Sequence, residues 1–353
     1  MKKVLSVAIM AAMVASLAAC GSNSAPAAAP AAAPAATQAA AAAGPELTFK
    51  YAELNGDDNI NARAGYKFAE YVKELSNGRI EVDVNTASTL GDEKTCLNAL
   101  QMGGGTVDFY RGNTNSLSDY GFKKLNLFGL PYIFVSRDTM WKVLDDPDLG
   151  QAFLTEGVEV GAGMVGIAYT DEGARNLFTR GEIKSLADVK GMKIRVPETT
   201  LMMDTMSALG AEPTPISYSE LYSSLQTGVV DGAENGYPGY DSNKFYEVAP
   251  YYLLDQHTFS PGIILMAEAQ WNKLSADDQK ILLEAGKKAS EWNKSQIEKE
   301  EGDLRGSLES KGITIIDCPP ADKAAAQEAC KSVWASYSVG IEDVLQAIVD
   351  KQK

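Results

Sequence analysis

A chain of 353 residues with 45% hydrophobic content is long enough for one large or two ordinary domains and for a real core. Its formal charge of −15, from 47 acidic against 32 basic residues, argues against nucleic acid or anionic lipid as a partner, since both need a basic surface. A small anion can still be captured, by a few local arginines working against an unfavourable long-range field.

The chain begins MKKVLSVAIMAAMVASLAAC: a basic start at Lys2 and Lys3, an apolar run, then small residues before Cys20, the pattern of a secretory signal. Its end, Leu17-Ala18-Ala19-Cys20, resembles a bacterial lipoprotein box. That resemblance implies cleavage before Cys20 and a diacylglyceryl group on its sulfur, leaving the mature chain lipid-anchored outside the cytoplasm, at the cell surface or in the periplasm. An ordinary signal peptide with a chance cysteine is the alternative. Losing Lys2 and Lys3 takes the side-chain balance from −15 to −17. No other apolar run reaches the roughly 18 residues of a membrane helix. After the signal (1–20), residues 21–45 are almost wholly Ala, Pro, Ser and Gly, which cannot bury enough apolar surface to order themselves and read as a tether.

Folding starts near Glu46. LTFKY (47–51) predicts a strand, followed by the polar loop ELNGDDN, which holds Asn55 and Asp57. Phe68, Tyr71, Val72 and Leu75 share one helical face, and Asn77-Gly78 supplies the stop. Ile80, Val82 and Val84 alternate as a strand; a helix is predicted from Asp92 to Met102, and the glycines at 103–105 read as its C-terminal turn rather than a phosphate loop. The chain continues with a strand in TVDFYR, helices over 137–144 and 149–156, and a long strand in VEVGAGMVGIAYT. In GMKIRVPE, Met192, Ile194 and Val196 alternate with Lys193 and Arg195, the pattern of a half-buried strand. Helices over 200–209 and 217–226 flank a short polar strand. Strands alternating with helices imply an α/β fold with mainly parallel sheets. From Ser275 to Lys311, Ile281, Leu282, Ala285, Ala289 and Trp292 form one apolar stripe on a helix long enough to be a strut between two lobes.

Motifs for catalysis are sparse. His257 is the single histidine, and no nucleophile elbow, HExxH or CxxC pattern occurs, so neither metal nor cofactor is expected. A surface enzyme would have to use carboxylates such as Glu93 and Glu234 as an acid–base pair. Cys318 and Cys330 could form a disulfide in an oxidising compartment, whereas Cys96 sits in a helical run as a buried thiol. Arg175 in GARNLF, Arg195 in KIRVPE and Asn235 in VDGAENGYPGY punctuate apolar runs, with Gly232, Gly236 and Gly239 placed to let backbone approach a ligand. Taken singly, an arginine on a strand faces solvent more often than not.

Three stretches together carry more: ADVKGMKIRVPE, ALGAEPTPISYSELYSSLQTGVVDGAENGYPGY and KFYEVAPYYLLDQHT. They closely resemble the solute-binding subunit of tripartite ATP-independent periplasmic (TRAP) transporters, the DctP-like family, over nearly the whole chain from Leu47. The resemblance implies two α/β lobes with a ligand cleft between them and a long helix spanning both, a monomer that closes on an organic anion and delivers it to separate TRAP permease subunits. It implies lobe I from 46–172 with 261–300, and lobe II from 173–260 with 301–353. By the same resemblance Arg195 pairs with the substrate carboxylate, and Arg175, Tyr218 and Asn235 also contact ligand. Glu93, Arg111, Gly112 and Asn113 match positions that contact its other end, and Asn55, Asp57, Gln256 and His257 are secondary candidates. The wording GARNLF and YYLLDQHT is most like the branch that binds sugar acids, uronates or aldonates, although Gln256 stands where that branch usually has an acid. A C4-dicarboxylate or other organic acid is the alternative ligand.

Overall fold

A computed structural model describes residues 44–353; the signal, the anchor candidate Cys20 and nearly all of the tether lie outside the described residues. Eleven strands follow the chain as β1 (Leu47–Ala52), β2 (Ile80–Asn85), β3 (Phe109–Asn113), β4 (Met164–Thr170), β5 (Arg175–Thr179), β6 (Lys193–Val196), β7 (Glu212–Pro215), β8 (Gly232–Asn235), β9 (Tyr251–Thr258), β10 (Gly262–Ala267) and β11 (Thr314–Asp317). They form two sheets, β2-β1-β3-β10-β4 and β11-β9-β5-β8-β6-β7. The chain crosses from the first sheet to the second after β4 and returns before β10. As expected for an α/β fold, the sheets are mostly parallel. Among the described residues every antiparallel ladder involves β5 or β10, the strands laid down immediately after the first two crossings.

Each sheet is the middle of its own lobe. On the first, Phe49, Tyr51, Phe68 and Phe109 pack edge-on and offset between the sheet and helix Ile60–Leu75. That helix is capped by Asn59, whose side chain accepts from the Asn61 backbone, and it ends where Asn77 and Gly78 turn left-handed. On the second sheet, Phe178, Tyr240, Phe245 and Tyr252 form the aromatic centre.

The predicted long helix runs over Ala276–Ser310, 35 residues, or about 52 Å at 1.5 Å per residue. Leu282, Ala285 and Ala289 pack in the core of the first sheet, and Leu308 in that of the second. Midway, the fully buried Asn293 accepts the Asp171 backbone N–H at 2.6 Å and donates back to the Asp171 carbonyl at 3.2 Å. The helix thus grips the first crossing while packing on both lobes.

Some expectations need correction. VEVGAGMVGIAYT is not one long strand: β4 begins only at Met164, because Gly161 and Gly163 adopt φ of 70° and 72° and break the extension. The preceding residues form a short helix, Glu156–Glu159, where the buried Glu156 carboxylate accepts the backbone N–H groups of Lys123, Lys124 and Leu125. Residues 301–353 do not all pack with the second lobe: Val333 and Ile348, on helices Lys331–Tyr337 and Glu342–Lys351, are buried in the core of the first. Cys318 and Cys330 are free thiols rather than a bonded pair, both buried among second-lobe apolar residues, and burial pushes the Cys330 thiol up to about 12. Cys96 is likewise a buried free thiol.

Candidate functional site

A cavity of about 330 Å³ lies between the lobes, lined from the first by Asn55, Glu93, Tyr110, Arg111 and Asn113 and from the second by Arg175, Arg195, Tyr218 and Asn235. That volume is within the usual range for a small-molecule site, roughly 300–1,000 Å³. Glu172, on the first crossing, also lines it. Three of these side chains are arginines with 6% exposure or less, so their charges must be answered within the site.

Two are answered by protein carboxylates. Arg111, on β3, donates through Nε and Nη2 to the two oxygens of Glu53 at 2.8 Å each, and through Nη1 to Glu172. Burial alone would lower its pKa, but Glu53 and Glu172 outweigh that and hold it well above the ordinary arginine value. Arg175, on β5, forms the same two-pronged pair with Glu234 of β8, at 2.5 and 2.8 Å, with Glu172 3.5 Å from its Nη1. Burial would raise the Glu234 pKa; Arg175 and His257 overcome it and bring it down to about 2. Behind this pair, His257 Nε2 is 3.4 Å from Glu234, and Nδ1 is 2.8 Å from Asp255. Burial opposes a charged imidazole, yet the two carboxylates raise its pKa to about 9.

Arg195 is different. Strand β6 lies inside the sheet with both edges paired, to β8 and β7, and Arg195 is 2% exposed where its side chain turns into the cavity. Its Nε donates to the Ile216 carbonyl at 2.7 Å, and its guanidinium carbon stands 5.7 Å from the centre of the Tyr218 ring. Among the described residues it has no carboxylate partner, and its buried Nη1 has no hydrogen-bond partner. Burial lowers its pKa to about 10, which still leaves it charged at neutral pH. Lys193, two residues earlier at the strand's start, is exposed.

Tyr218 ties the two lobes together. Its hydroxyl donates to Asn55 Oδ1 at 3.1 Å and accepts from Asn235 and Asn243 at 3.2 and 2.9 Å. Asn55 is itself held by Glu53, which accepts its side-chain amide at 2.7 Å. Asn113 donates to Glu172 at 3.1 Å and to the Ser260 carbonyl at 3.1 Å, so it links the first two crossings. Glu93, at the start of helix Glu93–Gln101, accepts the Tyr110 hydroxyl at 3.0 Å.

The geometry thus brings together Asn55, Glu93, Arg111, Asn113, Arg175, Arg195, Tyr218 and Asn235, with Gly112 beside them. It leaves out the other secondary candidates. Asp57 is exposed and accepts from Tyr66 and Thr86. Gln256 is exposed and holds Lys323 through its side-chain oxygen at 2.8 Å. His257 is one layer behind the cavity wall, against Glu234. A Cβ at Gly236 would be 2.6 Å from the Glu172 carbonyl oxygen, and one at Gly239, which lines the cavity, 2.7 Å from the Asn235 amide. Glu234, fully buried and committed to Arg175, is not a free partner for Glu93. Sequence reading missed Glu53 and Glu172. The available signal was an acid directly after a strand with a buried end, in YAE and in YTDE.

Comparison with known proteins now bears on this site. The family model of bacterial extracellular solute-binding proteins, family 7 (DctP), matches residues 51–339. A solute-binding protein of Roseobacter denitrificans is 36% identical over 309 residues, covering 87% of this chain and 92% of the relative. A TRAP periplasmic solute-binding protein from a Bradyrhizobium species, solved with D-galacturonate, superposes with a TM-score of 0.80 at 31% identity, covering 86% of this chain and 99% of that one. Another from Roseobacter denitrificans, solved with L-galactonate, gives 0.78 at 34% identity, covering 87% and 99%. Among the described residues no helix is long and apolar enough to cross a membrane.

Proposed function

This chain belongs to family 7 of the bacterial extracellular solute-binding proteins, the DctP family of TRAP transporters, and on that footing we propose that it captures a hexuronate or aldonate by the carboxylate at Arg195 and presents it to a TRAP permease. The observation that carries the reading is the state of the three cavity arginines: two are saturated by protein carboxylates, and Arg195 is buried without one. A guanidinium presents a planar fork that matches the two oxygens of a carboxylate, and a charge-assisted pair is far stronger in a closed, water-poor cleft than on a surface. The rest of the wall is hydroxyl-reading chemistry: Asn55, Asn113, Asn235 and Tyr218 supply donors and acceptors for a polyol. A ligand touching both walls favours the closed arrangement only through contacts better there than in an open one, and Arg195 and Asn113 belong to opposite lobes.

The solved relatives hold galacturonate and galactonate, monocarboxylic sugar acids of the size this site suits. Binding and release without chemical conversion complete the reading, with Cys20 as the lipid anchor and the monomer as the working unit. A thermal-shift screen over uronates, aldonates, C4-dicarboxylates and the neutral parent sugars tests it, because a saturating ligand raises the melt with the logarithm of its concentration over Kd. Stabilisation by sugar acids and not by their neutral parents is the expected result; stabilisation only by C4-dicarboxylates overturns it.

A further inference from the structure

The cavity holds a second charged group without an ion-pair partner, and it is an anion. Glu93 is half-buried, lines the cavity from the first lobe and accepts the Tyr110 hydroxyl, but no arginine or lysine among the described residues pairs with it. Of the other charged lining residues, Glu172, Arg111 and Arg175 are paired, Asp92 caps the helix by accepting the Thr95 backbone N–H at 2.8 Å, and Lys94, Asp119 and Glu198 are exposed. Inside the site one unpaired cation on β6 therefore faces one unpaired carboxylate at the start of helix Glu93–Gln101.

Resting on the sugar-acid reading above, we infer that Glu93 is a specificity-determining residue that restricts the site to monocarboxylates whose far end carries hydroxyls, and rejects acids with a carboxylate at both ends. A carboxylate accepts hydrogen bonds only, so a hydroxyl directed at Glu93 finds a charged acceptor, while a second carboxylate brings no donor and a like charge. The surroundings already disfavour a charge at Glu93, so a second carboxylate there is accommodated only at the cost of taking up a proton between the two. Burial already raises its pKa, Glu172 adds to this, and the opposing stabilisation comes from the Ser116 and Tyr110 hydroxyls and the charge of Arg195. A ligand carboxylate at Arg195 neutralises that last contribution. Like charges that are partly buried are screened less than at the surface.

The test is calorimetric titration of wild type and Glu93→Gln with D-galacturonate, L-galactonate and galactarate, the last having the same six-carbon chain with a carboxylate at each end. Gln keeps the size and one acceptor but removes the charge. The expected result is wild-type preference for galacturonate over galactarate on the order of a hundredfold, the size set by two like charges about 6 Å apart at an effective dielectric of about 20. Glu93→Gln should shrink that preference to roughly tenfold or less, by losing part of its galacturonate affinity and gaining affinity for galactarate, and an unchanged circular-dichroism spectrum with a cooperative melt shows that it is folded. Equal losses for both ligands in Glu93→Gln, or no wild-type preference, overturn the inference and leave the sugar-acid reading standing. Failure of the wild type to bind galacturonate and galactonate overturns both.

Discussion

Arg175 and Arg195 lie on strands that flank β8 in one sheet, both are almost fully buried, and both face the same cavity. Arg175 is held in a two-pronged pair with Glu234, backed by His257 and Asp255, whereas Arg195 has a backbone carbonyl, an aromatic face and an orphan Nη1. On the proposed reading, the same side chain in the same sheet has two tasks: a buried arginine already neutralised by the protein serves the frame, and one whose charge burial destabilises is held ready for a ligand. The ordinary arginine pKa is raised in the first case and lowered in the second.

The largest expected effect separates them by stability. Arg175→Ala leaves Glu234 buried with only His257 facing it and should cost about 3 kcal/mol or more in denaturant unfolding, the range for removing one partner of a buried pair. Arg195→Ala should do the opposite: the unligated protein melts at or above the wild type, while calorimetry shows a loss of about 2–5 kcal/mol in sugar-acid affinity. If both variants destabilise the unligated fold alike, the contrast between frame and ligand arginine is broken.

A smaller effect sharpens the frame side. The folded-state pKa of His257 is raised to about 9 from an ordinary 6.5, so its charged form contributes stability that is fully present below about 6.5 and is lost as pH rises through about 9. Wild type should lose stability over that interval relative to His257→Gln, whose unfolding free energy should lack this component. The smallest effect is at the seam between the lobes: Tyr218→Phe removes the hydroxyl joining Asn55 to Asn235 and Asn243 and should weaken ligand binding by about 1 kcal/mol.

How much of this was legible in the sequence depended on the range of the interactions. Periodicity marked helix Ile60–Leu75 and the 35-residue strut because an apolar stripe is local information. The start of β4 was misplaced because the left-handed turns at Gly161 and Gly163 leave no periodic trace. In KIRV, alternation correctly predicts a strand but assigns Lys193 and Arg195 to one face, with no means of knowing that the Ile216 carbonyl and the Tyr218 ring close over Arg195 while Lys193 stays exposed. Likeness to a known family, rather than pattern, brought Arg195, Arg175, Tyr218 and Asn235 forward together. Which carboxylates pair with which arginines was not legible, because Glu53, Glu172 and Glu234 reach Arg111 and Arg175 through pairings 58, 61 and 59 residues apart. The seating of Val333 and Ile348, from the last two helices, in the first lobe's core is long-range in the same sense.

The central claim, that Arg195 holds the ligand's carboxylate, is tested most directly by removing each partner in turn. Calorimetry would compare D-galacturonate with D-galactose, which lacks the carboxylate, on wild type and Arg195→Ala. The account predicts that wild type loses about 2–5 kcal/mol on going to the neutral sugar and that Arg195→Ala shows little further difference between the two ligands. An undiminished preference for galacturonate in Arg195→Ala would contradict it.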